Sequence, residues 1–172
     1  MPPTSPGPLR QLVDWSAAFW AGVAAGVIFL GLNVYAAPAV IGGNGWSFIR
    51  LLAAPVMGDG VLAPPASFDA AIALVGLGVH LVLSVAFALL LAIVIHRWGL
   101  LVGMLGGALF GVALYGIVVY TASLLFPWLL TLQSPLLLAT HVIFGIVAGG
   151  VYETLEVEEF APSPAAAGGG NT

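Results

Sequence analysis

The sequence predicts an all-α integral membrane protein folded as a four-helix transmembrane bundle. Three observations carry that prediction. First, apolar residues make up 61% of the chain and charged residues only 6%, whereas a soluble domain carries about 25% charged residues. A surface this poor in charge calls for lipid as its solvent. Second, four apolar windows, residues 15–37, 70–95, 99–125 and 135–152, are each long enough to cross a bilayer and hold no Asp, Glu, Lys or Arg in their middle. Third, the windows are continuously apolar rather than alternating. That excludes a β-barrel, and hydrocarbon, which cannot hydrogen-bond peptide groups, then leaves the helix.

Taken in order, residues 1–14 contain "MPPTSPGP" and are expected to be a disordered tail. Span one begins at Trp15. Val34 and Ala36 offer a small-residue pattern for signal-peptide cleavage, but Pro38 would block the cut and the apolar run is long, so an uncleaved anchor is expected. Residues 38–69 form the one long loop. Within it "WSFIRLLAAPVMGDG" suits a short helix on the membrane surface, with Phe48, Ile49, Leu52 and Val56 toward lipid and Arg50 toward water; a folded-back loop is the alternative. Asp69 is placed to cap span two. Only "HRWG" separates spans two and three, which predicts a tight antiparallel hairpin. "FPWLLTLQSP" joins spans three and four, with proline at both ends of the break. "ETLEVEEF" is expected to carry the last helix a turn or two out of the membrane, ahead of a second disordered tail at 161–172. The bundle domain is thus 15–160.

The cations are Arg10, Arg50 and Arg97. Placing both termini inside puts two of them on the cytoplasmic side, so the positive-inside rule favours N-in and C-in, with the 38–69 loop outside. Trp15, Trp20 and Trp98 would then mark the inner interface, and Trp46 and Trp128 the outer.

Each span carries one narrow stripe of small or polar residues. Span two has Gly76, His80, Ser84 and Ala88; span four has His141, Gly145 and Gly149; span three has Gly103, Gly107, Gly111 and Tyr115; span one has Ala18, Gly22, Gly26 and Asn33. In lipid, small residues let helix backbones approach, and packing replaces the missing hydrophobic drive. The four stripes are therefore expected to face one another. Counting about 1.5 Å per residue, the polar side chains gather in the outer half. His80, His141, Asn33 and Tyr115 are accordingly the candidate ligand-binding residues for a solute, a quinone or a metal ion. The alternative is that each imidazole simply bonds a carbonyl or hydroxyl on a neighbouring helix. Histidines on two parallel spans also raise a bis-histidine haem b, although their depths differ by about one turn.

Several chemistries are excluded or disfavoured. With no cysteine there is no disulfide, thiolate metal site or cysteine nucleophile. A net charge of -4 provides no basic patch for nucleic acid. No nucleophile–base pair, phosphate loop or metal-ligand spacing is present, so no enzymatic activity, no metal and no resident cofactor are expected.

The segments "RLLAAPVMGDGVLAPPASFD", "VHLVLSVAFALLLAIVIHR", "GALFGVALYGIVVYTASLLFPW" and "THVIFGIVAGGVYE" together resemble a group of small bacterial four-span inner-membrane proteins, some of which carry the label sodium:proline symporter. The resemblance covers roughly residues 46–153. It includes His80, His96, Arg97, Tyr115, Phe126, Pro127, Trp128 and His141, and it implies a four-span protein of the bacterial cytoplasmic membrane without an assigned activity. The symporter label itself conflicts with physical expectation. Such transporters place substrate and ion between broken helices of inverted repeats, which four short spans in one chain cannot supply. The expected role is a structural or accessory subunit, packed against itself or a larger membrane complex. A small-ligand binder or transporter is the alternative, and a haem-bearing electron-transfer subunit a third reading.

Overall fold

The computed structural model describes residues 9–96, 98–157 and 159–162. The helices, in chain order, are α1 (Trp15–Ala36), α2 (Pro38–Ile41), α3 (Gly45–Met57), α4 (Ala70–Ile95), α5 (Leu100–Gly116) and α6 (Pro135–Leu155). Four of the helical segments, Trp15–Ile41, Ala70–Ile95, Leu100–Leu124 and Pro135–Leu155, are long and apolar enough to cross a membrane. These coincide closely with the four windows read from the sequence.

The helix starts follow from short polar side chains that accept orphan amides. Asp14 accepts from Ala17 N at 2.9 Å, Asp69 from Ile72 N at 3.0 Å and Ser134 from Leu137 N at 3.1 Å. α3 opens with a reciprocal box: Asn44 accepts from Trp46 N at 2.9 Å, and Ser47 Oγ accepts from Asn44 N at 3.3 Å. The third span is not α-helical throughout. After Gly116 it passes into a π turn (Ile117–Thr121) and a 3-10 turn (Ala122–Leu124), and a second 3-10 segment, Pro127–Leu132, leads to α6.

The helices pack in the order α5–α6–α1–α4, and the small-residue stripes are the seams. A side chain carbon at Gly22 would lie 2.6 Å from Val85 Cα, and one at Gly26 2.8 Å from Ser84 Cβ, so α1 rests directly on α4. Between α5 and α6 the approach is closer still. Gly103 faces Gly149, Gly107 faces Gly145, and Gly111 faces the His141 carbonyl, backbone against backbone. At such approach Cα–H groups contact opposing carbonyls and add to the dispersion gain. By contrast α4 and α5, consecutive in the chain, touch sparsely; Gly106 beside Ile95, at the end of α4, is one such place. The tight hairpin expected from the short connection is therefore close only at its base, because α6 and α1 stand between the two helices farther up.

Two further expectations change. The 46–60 segment is helical, but Phe48 and Ile49 do not face lipid: they are buried, while Val56 is 67% exposed. The reason is Gly76 on α4, where an added side chain carbon would sit 2.6 Å from Ile49 O. That bare patch admits the α3 backbone, and Phe48 follows it into the core. At the other end, Leu9–Gln11 (β1) pairs antiparallel with Phe160–Pro162 (β2), and Leu12 N donates to Glu159 O at 2.8 Å. Residues expected to be loose tails thus form a small ladder. α6 ends at Leu155, before the glutamate run is finished. Residues 1–8, 97, 158 and 163–172, with Arg97 and most of both predicted tails, lie outside the described residues.

Candidate functional site

The centre of the bundle is organised around one ring that the sequence reading did not single out, Phe29 on α1. His80 of α4 stacks on it at 5.6 Å between centroids and 18° between planes. His141 of α6 meets it edge-on at 4.8 Å and 80°. Phe144 of α6 and Phe48 of α3 close the remaining sides at 6.1 and 6.4 Å. Tyr115 of α5 reaches the cluster from outside, 6.0 Å from His141. Offset and edge-on arrangements of this kind suit the ring quadrupole and contribute beyond area burial.

The polar atoms of the cluster are directed mainly at main-chain carbonyls. His80 Nε2 lies 2.8 Å from Gly26 O on the neighbouring helix, with Ser84 Oγ 3.4 Å away. His141 Nδ1 lies 2.8 Å from Leu137 O, one turn back in its own helix. A carbonyl can only accept, so His80 carries its proton on Nε2 and His141 on Nδ1. Asn33 Nδ2 donates to Phe29 O at 2.9 Å. Thr140 Oγ1 lies 3.0 Å from Leu137 O and 3.4 Å from Asn33 Oδ1, on the α6–α1 seam.

The four sequence candidates are therefore brought to one level of the bundle, but not around an empty space. His80, His141 and Asn33 are buried, Tyr115 is half-buried, and Phe29 fills the interval between the imidazoles. The expected stripes lead directly to this level, since Gly26 leaves room for the His80 ring (Nε2 would stand 3.6 Å from a side chain carbon there). Phe29 itself lies on that stripe, three residues after Gly26 and four before Asn33, and this helical spacing was the signal that could have found it.

A bis-histidine haem does not fit these residues. The porphyrin would need the place of the Phe29 ring, and His80 Nε2, the nitrogen that would bind iron, is committed to Gly26 O. Among the described residues no three His, Asp or Glu side chains lie together as a metal set.

Fold and site together define a multi-pass helix bundle of membrane-spanning dimensions with a filled, hydrogen-bonded interior. No family model matches the chain, and no curated protein or solved structure matches it either.

Proposed function

We propose that the protein is a non-catalytic accessory or structural subunit of the bacterial cytoplasmic membrane, with both termini inside, assembled with itself or with a larger membrane complex. The observation that carries this reading is the Phe29 ring between His80 and His141, with both imidazoles donating to main-chain carbonyls. The His80 bond crosses from α4 to α1 and fixes the register of those helices, at an average of about 0.6 kcal/mol per interhelical bond in a membrane protein, while the His141 bond satisfies its ring within α6. A binder or transporter built on the same residues would require space where the phenyl ring stands.

The test is purification in mild detergent from haem-replete cells, with an absorption spectrum and mass spectrometry of everything that co-purifies. A colourless preparation carrying a stoichiometric membrane-protein partner, or a defined homo-oligomer, is the expected result. A Soret band, or a small molecule whose retention is lost in His80→Ala or His141→Ala, would overturn it.

A further inference from the structure

The end of the bundle that carries α3 has an open cleft of about 520 Å³, within the range of small-molecule sites. It is assembled from segments far apart in sequence: α2, the start of α3, the 58–69 loop, and the 3-10 turn that holds Trp128 and Thr131. Its walls are mainly apolar, with Val40, Leu51, Leu62 and Trp128 among them, and its cation is Arg50.

Arg50 is held in place rather than trailing into solvent. Its Nη1 donates to Val61 O at 2.7 Å, and its Nε and Nη2 both donate to Ser67 O, at 3.3 and 3.0 Å. All three bonds go to uncharged carbonyls, so they fix the guanidinium without neutralising it. A guanidinium has five N–H donors, so one N–H remains on each Nη. These remaining donors are available to a carboxylate or a phosphate, the anions that a guanidinium binds most strongly. One turn back on α3, Ser47 accepts from Asn44 N through its oxygen and keeps its own O–H to donate into the cleft it lines. Trp128 adds an aromatic wall. A fixed, half-exposed cation beside apolar walls, with no carboxylate among its hydrogen-bond partners, keeps its charge available to an anion.

We propose that this cleft binds an anionic amphiphile, with Arg50 Nη1 and Nη2 gripping its carboxylate or phosphate and the Leu62–Trp128 walls taking its apolar part. The head group of a membrane phospholipid and a free short-chain carboxylate share this chemistry. The site is separate from the Phe29 cluster and does not depend on the accessory role proposed above.

Native mass spectrometry of the full chain distinguishes the sources. In one arm the protein is released from phosphatidylcholine nanodiscs doped with phosphatidylglycerol; in the other, detergent-solubilised protein is titrated with octanoate. The expected result is a single saturable adduct, selected over phosphatidylcholine or over octanol. Phosphatidylglycerol retained and not displaced by octanoate identifies lipid as the source, and octanoate uptake alone identifies a free carboxylate. Arg50→Gln should weaken the adduct at least tenfold. Because that change also releases the loop carbonyls, Val40→Trp provides a second variant. It fills the cleft from α2, leaves the Arg50 bonds intact, and should weaken binding by a similar factor. Uptake of neither anion, equal uptake of octanol, or unchanged uptake by Val40→Trp would overturn the proposal.

Discussion

The Phe29 cluster and the Arg50 cleft gather much of the chain's scarce polar chemistry, and they treat it in opposite ways. In the cluster, both imidazole N–H groups and the Asn33 amide are spent on carbonyls, and an aromatic ring occupies the space between. In the cleft, a fixed cation keeps unspent donors beside open volume. The difference teaches that a buried histidine in a membrane span is not by itself a sign of a ligand. What separates a scaffold from a site is whether the polar group's valences are already satisfied and whether the adjoining space is filled.

This contrast can be broken at several points. The largest effect should come from the glycine seam that sets the spacing of the core. Gly145→Leu would drive a side chain into the Gly107 carbonyl, where backbone and not a flexible side chain is in the way. Overpacking of this sort costs ~3 kcal/mol or more, and unfolding of the solubilised protein in SDS titrations should show it as loss of the folded bundle. Next, Phe29→Ala should cost ~3–5 kcal/mol in the same titration, the range for emptying an aromatic from a core. Val40→Ala, at the rim of the cleft, should stay within about 0.5 kcal/mol of wild type, as surface changes do. Equal costs at the two positions would erase the distinction between a filled and an open region.

A smaller effect is expected at His80. Replacement by Phe keeps a ring on Phe29 but gives up the bond to Gly26 O. The expected loss is ~0.6 kcal/mol, and no more than about 1.7, the span measured for interhelical hydrogen bonds. A much larger loss would mean that the imidazole does more than hold register.

The smallest effect lies outside both regions, where Asp14 joins the two ends of the chain. Its carboxylate accepts from Ala17 N and from Val157 N, at 2.9 and 3.2 Å. The bond from Ala17 holds its pKa below the ordinary aspartate value of 3.8 against the opposing effect of burial, with lesser contributions from the bonds of Val157 and Ser16. A depressed carboxylate stabilises the fold above its unfolded value and loses that contribution as pH falls through the folded one. Wild type should therefore melt slightly higher than Asp14→Asn at pH 6, with the gap closing below about pH 4. A gap that widens on acidification would contradict the assignment.

Much of this architecture was legible in the sequence because lipid imposes a simple rule: spans must be long, apolar and helical. The four windows and the inward stripes at Gly22, Gly26, His80, Ser84, Gly107 and Gly145 follow from that rule, and the structure buries each of these residues. Phe29 was missed because the stripe was followed in steps of four, while the helix returns to the same face after three residues as well. The direction of α3 was not legible from α3 itself. Its apolar residues suit lipid and protein equally, and Gly76, on another helix, decides between them. The Arg50 cleft was hidden for a similar reason, since residues 40–67 and 128–131 meet only after the bundle has formed. Pairing of β1 with β2 likewise depends on the start of α1 lying beside the end of α6.

The most direct measurement is ¹⁵N solid-state NMR of the two buried histidines in lipid bilayers, with ring-to-ring contacts to Phe29. The account predicts opposite neutral tautomers, the proton on Nε2 at His80 and on Nδ1 at His141, with both imidazoles in contact with the Phe29 ring. Imidazoles that share one tautomer, exchange freely with water, or show no contact with Phe29 would contradict a filled and hydrogen-bonded core.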